Sequence, residues 1–138
     1  MTIRQVGAVP LRKTREGLEV LLVSSRETGR WVIPKGWPSK RLSDPDAAAR
    51  EAKQEAGVTG KIAGVPIGGY RYRKKMTEEE TRVLTVICYV LWVKKQRKRW
   101  REQDVRTREW FPQAEAVKKV REPGLKAILA GLEARRKR

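Results

Sequence analysis

Residues 36–58, GWPSKRLSDPDAAAREAKQEAGV, predict a loop followed by a helix. Ser43 is a favourable N-cap, Pro45 suits the first helical turn, and the two aspartates around that proline lie near the positive end of the helix dipole. Gly57 is expected to end the helix in a left-handed conformation. This helix carries the polar residues on which the functional interpretation depends.

One face of the helix carries Glu51, Gln54 and Glu55, which fall within about a third of its circumference. The neighbouring face is small and apolar and suits packing on a sheet; it is formed by Ala48, Ala52 and Ala56. Two carboxylates at positions i and i+4 converge where one divalent cation can bridge them. An ordinary amphipathic helix with solvated charges has the same spacing, so the loop before the helix decides between the two interpretations.

That loop, WVIPKGWP at residues 31–38, ends a strand at Lys35 and Gly36 between two prolines. A rigid, glycine-containing connection between a strand and a helix can seat phosphate groups against backbone N–H groups. Beside helical carboxylates, such a loop favours a site for phosphate and metal over a purely structural helix.

The composition excludes several kinds of chemistry. The chain has 138 residues, 33 Lys and Arg against 16 Asp and Glu, a formal net charge of +17, no histidine and one cysteine. Without histidine there is no Ser-His-Asp or Cys-His nucleophilic site and no His-ligated zinc, and one cysteine forms no intrachain disulfide. Any metal is therefore expected to be a hard cation held by carboxylates.

The length predicts a single domain over residues 1–138. No apolar run is long enough to span a membrane, and the first residues lack the apolar segment of a secretory signal, so we expect a soluble, cytoplasmic protein. The positive charge indicates anionic partners, for which nucleic acid, polyphosphate metabolites and acidic membranes are the candidates.

The remaining periodicity predicts strands on both sides of the helix. The strand candidates are residues 6–11, 19–25, 31–33, 60–73, 83–94 and 108–111. The most β-prone of them is 83–94, VLTVICYVLWVK, in which Cys88 is expected to be a buried small hydrophobe. Two further helices are predicted at residues 113–120 and 124–135. This order of elements favours an α+β fold with a mixed sheet over a doubly wound fold.

The spacing of residues around the first helix resembles the Nudix box, G-x5-E-x7-R-E-U-x-E-E-x-G-U with U aliphatic. The sequence follows it without a gap and matches it at Gly36, Arg50, Glu51, Glu55, Gly57 and Val58. Residues 21–34 and 107–117 are similar to the diphosphoinositol polyphosphate phosphohydrolase branch of the family. The resemblance implies an α/β/α sandwich and metal-dependent hydrolysis of a phosphoanhydride bond in a dinucleoside polyphosphate or a diphosphoinositol polyphosphate.

The resemblance also implies roles for individual residues. Glu51 and Glu55 are implied as metal ligands for Mg²⁺ or Mn²⁺ and as catalytic groups. Gln54 is implied as a third, neutral metal ligand. Arg50 and Gly36 are implied as further residues of the catalytic site, with Arg50 organising the carboxylates.

Two positions depart from the box. The first glutamate of the pattern is Leu42 here, and Asp46 can replace it as the helical partner of the box arginine at about 0.3–0.5 kcal/mol. Gln54 stands where the pattern has a glutamate, which weakens metal binding without excluding it, because an amide oxygen still coordinates hard cations. Glu109, beside the last strand, is the additional carboxylate candidate, and the glutamates at 78–80 are others.

Basic residues around the box are the candidates for binding substrate, namely Arg26, Lys35, Arg71 and Arg73. A guanidinium suits phosphate because its planar fork donates two parallel hydrogen bonds. We therefore expect a small polyphosphate substrate and no membrane partner. The alternative is a catalytically weakened Nudix scaffold that binds RNA or another polyanion through its basic surface, especially segment 94–101 with Trp100.

Overall fold

In the computed structural model, which describes residues 3–26 and 28–132, one mixed sheet of eight strands is combined with three helices. The strands are β1 (Ile3–Thr14), β2 (Gly17–Ser24), β3 (Trp31–Val32), β4 (Lys35–Gly36), β5 (Val58–Ile62), β6 (Gly68–Lys75), β7 (Thr81–Gln96) and β8 (Arg108–Pro112). The helices are α1 (Asp44–Ala56), α2 (Gln113–Lys119) and α3 (Pro123–Ala130).

Strands β1 and β7 run parallel through the middle of the sheet, in a register that pairs Ile3 with Leu84 and Leu11 with Trp92. Strand β2 is antiparallel to β1 and to β8 on its other side. Strands β5 and β6 are both antiparallel to β7. The two central strands bury aliphatic side chains on both faces, which explains why β7 is the most hydrophobic segment of the chain.

The short strands β3 and β4 fill the space where β1 and β2 separate. Strand β3 pairs with the end of β2, and β4 pairs with β1 through Val6–Gly36 and Gly7–Lys35. Between them, the carbonyl of Pro34 accepts a hydrogen bond of 3.0 Å from the backbone N–H of Ala8. This crossing brings the backbone of Gly36 against helix α1.

Helices cover both faces of the sheet. On one face, α1 buries its alanines, Ala47, Ala48, Ala52 and Ala56, against aliphatic side chains of β1, β2 and β7. On the other face, α2 and α3 pack Ala116, Leu125 and Leu129 against Val20, Leu22 and Phe111. The predicted sandwich with a mixed sheet between helices is confirmed. No helix within the described ranges is long and apolar enough to cross a bilayer.

Two predicted elements differ from the structure. The strand predicted at residues 60–73 is two strands, β5 and β6, because the segment between them contains Gly64 and Pro66 and leaves the ladder. Both strands nevertheless pair with the same edge of β7, β6 with its first half and β5 with its second. The helix predicted at 124–135 is α3, Pro123–Ala130, and the positions from 133 onward lie outside the described residues. Cys88 is buried, as predicted.

Candidate active site

Helix α1 positions the two box carboxylates. It begins after Ser43, whose hydroxyl accepts a hydrogen bond of 3.3 Å from the backbone N–H of Asp46. It ends at Gly57, whose φ of 67° is a left-handed conformation that suits glycine. Because the alanine face of the helix is buried on the sheet, Glu51 and Glu55 are held at the side of the helix that meets β4.

The carboxyl groups of Glu51 and Glu55 are hydrogen-bonded to each other, and Glu55 is only 5% exposed. Burial raises the pKa of Glu55 to about 8, and the neighbouring charge of Glu51 adds to the rise while Arg106 opposes it. Burial also raises the pKa of Glu51, although the hydrogen bond from Glu55 opposes this rise. The two carboxyls titrate as a coupled pair, and the raised pKa values favour a protonated carboxyl in the pair at neutral pH.

Strand β4 contacts both carboxylates through its backbone. The N–H of Lys35 donates a hydrogen bond of 3.3 Å to Oε1 of Glu55. A Cβ atom on Gly36 would lie 2.6 Å from both carboxylate oxygens of Glu51, far inside van der Waals contact. The close approach of backbone and carboxylate therefore requires glycine at position 36.

The segment between β7 and β8 completes the site with two residues that sequence reasoning missed. Arg106 is 13% exposed and lies 3.7 Å from Oε1 of Glu55, and its Nη1 donates a 2.9 Å hydrogen bond to the carbonyl of Ser24. Its Nε donates to Oε1 of Glu102 at 2.7 Å. Glu102 is close enough to Glu51 for its charge to raise the pKa of that carboxyl further. Three carboxylates and one arginine thus share this region.

This segment is fixed in place because it caps the C-terminal end of α1. Three consecutive helix carbonyls accept hydrogen bonds from it: Gln54 O from Glu102 N at 3.1 Å, Glu55 O from Trp100 Nε1 at 3.0 Å, and Ala56 O from Arg108 Nη1 at 2.8 Å. The guanidinium of Arg108 also stacks 3.8 Å from the ring centre of Trp100. The only signal in the sequence was the i,i+4 spacing of Glu102 and Arg106, which cannot show that the segment packs on α1.

A basic cavity of about 770 Å³ adjoins the carboxylates on the side of Lys35 and Arg106. Its cationic lining residues are Arg26, Arg30, Lys35, Arg73, Lys74, Lys75 and Arg106. Among the described lining residues the one carboxylate is Glu122, which pairs with Arg30 at 3.3 Å and whose Oε1 is buried without a hydrogen-bond partner. Burial lowers the pKa of Lys35, although Glu55 and Glu122 oppose this. The cavity is suited to a ligand with several negative charges.

A family profile of the NUDIX domain matches residues 1–132. The chain belongs to the Nudix family. Nudix hydrolase 16 of Arabidopsis thaliana is 34% identical over 115 residues, which are 81% of this chain and 63% of that protein. Human diphosphoinositol polyphosphate phosphohydrolase 3-beta is 31% identical over 117 residues, 83% of this chain and 67% of that protein. The chain thus spans less than two thirds of the length of the Arabidopsis relative.

The same Nudix fold is found in a solved structure of an Ap4A hydrolase from Caenorhabditis elegans. It superposes with a TM-score of 0.70, covers 96% of each chain, and is 20% identical in sequence. At this identity the superposition shows a shared fold. The predicted family and fold class are thereby confirmed.

Two further positions of the Nudix box, Arg50 and Gln54, do not line the basic cavity that adjoins Lys35. Arg50 is exposed and, within the described residues, forms no ion pair; its charge lowers the pKa of Glu51 from a distance. The expected helix pair between Asp46 and Arg50 is not formed. Gln54 borders a second cavity, together with Arg50 and Trp100, and not the one that adjoins Lys35. Its role as a metal ligand therefore stays a prediction.

Two other candidates lie away from the carboxylate pair. Glu109 is exposed and shares its face of β8 with Phe111, which packs on α2 and α3, whereas Arg108 and Trp110 face α1. Strand alternation turns Glu109 to the other face, so the structure does not bring it to the carboxylate pair, and its role as the additional carboxylate stays a prediction. Glu102 lies close enough for its charge to act on Glu51. The glutamates at 78–80 are exposed in the turn before β7, where two of them pair with neighbouring basic residues.

The four predicted substrate-binding residues are not all together. Arg26, Lys35 and Arg73 line the basic cavity, whereas Arg71 does not. The exposed side chains of Arg71 and Arg73 project from the same face of β6, but Arg73 is nearer the end of the strand where the cavity opens. Arg71 is therefore the one of the four that the structure does not place at this cavity, and its role in substrate binding stays a prediction.

Nudix hydrolases generally use divalent metal ions, and the carboxylate pair fits one. No group of three or more Asp, Glu, Cys or His residues within metal-binding reach occurs in the part of the chain that the structure describes. Mg²⁺, however, is commonly held by one or two carboxylates together with phosphates of the substrate. A cation bound between Glu51 and Glu55 would relieve the repulsion that contributes to the raised pKa of Glu55.

Proposed function

We propose that this Nudix domain hydrolyses a phosphoanhydride bond in a small polyphosphorylated substrate, of the dinucleoside polyphosphate or diphosphoinositol polyphosphate type. The observation that carries the proposal is the carboxylate pair of half-buried Glu51 and buried Glu55 beside a cavity lined by seven cationic side chains. The names of the human relative and the nematode structural neighbour, a diphosphoinositol polyphosphate phosphohydrolase and an Ap4A hydrolase, support the same substrate types.

The basic cavity binds the phosphate chain in this proposal. Arg26 and Arg73 each offer a planar fork that donates paired hydrogen bonds to phosphate oxygens, and Arg106, whose Nε and Nη1 are bonded to Glu102 and Ser24, adds positive charge. Lys35 adds a cation between this cavity and Glu55, since its backbone bonds that carboxylate and its side chain lines the cavity. The substrate is thereby oriented with one phosphorus next to the carboxylates.

Glu51 and Glu55 would hold Mg²⁺ or Mn²⁺. The bound cation supplies neutralisation of phosphate charge and a lower pKa for the attacking water. Glu55 would hold the cation as the ionised carboxylate, its proton having passed to solvent. The carboxylate of Glu51 lies against the backbone of Gly36, which holds it at the edge of α1 where the cation would bind.

An ionised carboxylate then accepts the proton of the water that attacks phosphorus in line. Glu55 is the candidate from the box, and Glu102 is proposed beside Glu109 as the candidate outside it, because the charge of Glu102 acts on Glu51 whereas Glu109 lies on the other face of β8. Arg106 fixes the Glu102 side chain through a 2.7 Å charged hydrogen bond. The leaving phosphate departs into the basic cavity, whose cations balance its charge.

The proposal is tested with a panel of dinucleoside polyphosphates, diphosphoinositol polyphosphates, nucleoside diphosphate sugars and capped RNA, each assayed with Mg²⁺ and with Mn²⁺. We expect turnover on one of the first two classes, and Glu51→Gln should reduce kcat about a hundredfold or more. Glu115→Gln, a change at an exposed glutamate on α2, is the matched control and should leave kcat unchanged. Equal turnover by Glu51→Gln and the unmodified protein would show that the site assignment is wrong.

Substrate binding by the basic cavity is tested at β6. Arg73→Gln removes a charged donor from the cavity and should raise KM about tenfold while leaving kcat nearly unchanged. Arg71→Gln removes the same charge two residues away, outside the cavity, and should leave KM within about twofold. The assay is steady-state kinetics on the best substrate of the panel, and equal effects of the two variants would contradict the proposed binding surface.

A further inference from the structure

A second basic cavity, of about 340 Å³, lies on the outer side of α1. Five of its lining residues are cationic: Arg50 and Lys53 from α1, and Arg97, Arg99 and Arg101 from the segment after β7. No acidic residue lines it among the described residues. It is separate from the cavity that adjoins Lys35.

These five cations are not neutralised by ion pairs among the described residues, although the charge of Arg50 acts on Glu51. Within the ranges that the structure describes, none of the five side chains forms an ion pair or a hydrogen bond. Cations that converge on one concave surface without a counter-ion repel one another and raise the local positive potential. A multiply charged anion relieves that repulsion when it binds.

The cavity is preformed, because its wall is fixed by the backbone. The N–H of Arg97 donates to the carbonyl of Gly57 at 2.8 Å, and the carbonyl of Arg97 accepts from Nη2 of Arg108 at 2.6 Å. Beyond the cavity, the N–H of Glu102 is bonded to the carbonyl of Gln54. The three arginines are therefore presented by a segment whose backbone is already docked, which reduces the entropy that a ligand must offset.

The same segment reaches both basic cavities. Arg101 lines the second cavity, Arg106 lines the first, and Glu102 lies between them beside Glu51. We propose that the second cavity is a phosphate-binding site that holds a short polyphosphate chain without a metal ion. This binding does not depend on hydrolysis, so it can be tested apart from the proposed function.

A short polyphosphate fits this cavity better than a single-stranded nucleic acid does. The volume of the cavity, about 340 Å³, lies at the lower end of the range for small-molecule sites. Its one aromatic residue, Trp100, has the guanidinium of Arg108 over its ring and its indole N–H bonded to the carbonyl of Glu55. Nucleic-acid sites without sequence preference rely on aromatic rings that are free to stack on bases.

The test is titration of the ¹⁵N-labelled protein with inorganic tripolyphosphate in EDTA, followed through the indole N–H signal of Trp100, which Trp100→Phe assigns. We expect that signal to shift saturably. Arg99→Gln combined with Arg101→Gln should weaken the binding about tenfold or more, because each change removes a charged donor. Lys13→Gln combined with Arg15→Gln, which removes two charges from the exposed β1–β2 turn, is the control and should leave the affinity unchanged.

Two results would overturn the proposal. One is an equal loss of affinity in the two double variants, since binding would then follow net charge alone. The other is a Trp100 signal that shifts with an RNA oligonucleotide lacking terminal phosphates but not with tripolyphosphate. Hydrolysis of the substrate panel is measured on the same variants. Failure of the proposed activity with retained tripolyphosphate binding would refute the proposed function and leave this site in place.

Discussion

At Gly36 the backbone of β4 lies against the carboxylate of Glu51, and any side chain there would occupy the position of that carboxylate. Gly36→Ala should therefore displace the carboxylate of Glu51 and reduce kcat, while the free energy of unfolding should change little, because the displaced group is the end of a flexible side chain. Urea unfolding and steady-state kinetics measure the two effects.

Gly64→Ala is the matched control for this change. A Cβ atom at Gly64 meets nothing within 4 Å, so both stability and kcat should stay near those of the unmodified protein. If Gly36→Ala behaved like Gly64→Ala, the close contact between β4 and Glu51 would be disproved.

At the scale of residues, the sequence predicted the box and not its surroundings. Glu51, Glu55 and Gly36 were found because their spacing along the chain is regular. Glu102 and Arg106 were missed because they lie about fifty residues downstream of the box, and neither residue type nor local periodicity relates them to it. Arg71 was predicted as a substrate-binding residue together with Arg73 because alternation along a strand shows which face a residue occupies. It does not show where along that face a cavity ends.

At the scale of elements, the end of α1 and the segment after β7 form one unit. The last carbonyls of a helix have no partner within the helix, and here the indole of Trp100 and the guanidinium of Arg108 supply partners. The basic segment that the sequence suggested as an RNA-binding surface therefore has a structural role as well. Trp100, the residue on which base stacking was expected to depend, is part of the cap.

Removing this cap should measurably lower the free energy of unfolding. Trp100→Phe keeps an aromatic ring under Arg108 but removes the indole N–H, so the carbonyl of Glu55 is left without its donor. We expect a loss of about 1–2 kcal/mol in the free energy of unfolding. Trp37→Phe is the control, because Trp37 is 45% exposed, and it should change stability by less than about 0.5 kcal/mol. Equal losses in urea unfolding would contradict the capping role.

At the scale of the whole molecule, the charge of +17 is distributed around an interior that contains a protonated acid. The pKa of Glu55 is about 8 in the folded protein against an ordinary value of 4.5. Between these pH values the folded state binds more protons than the unfolded state at this position. The free energy of unfolding contributed by Glu55 therefore falls as pH rises.

The stability of the metal-free protein should accordingly decrease from about pH 5 to pH 8, and Glu51 acts in the same direction because its pKa is also raised. Lys35 has a lowered pKa and so acts in the opposite direction, toward higher stability as pH rises, in the alkaline range. The measurement is urea unfolding in EDTA across this pH range. Glu55→Gln should flatten the slope, and a stability that rises from pH 5 to pH 8 would contradict the buried proton.

The sequence by itself determined the family, the sandwich of helices around a mixed sheet, and the helix that carries Glu51 and Glu55. These follow from local signals, because caps, periodicity and motif spacing act over a few turns of chain. Only the tertiary structure decided that Glu102 and Arg106 lie beside that pair, that Glu109 faces away, and that the cations divide between two cavities. Those outcomes depend on how the segment after β7 docks on α1 and on the register in which β8 pairs with β2, both set by long-range hydrogen bonds that no local pattern encodes.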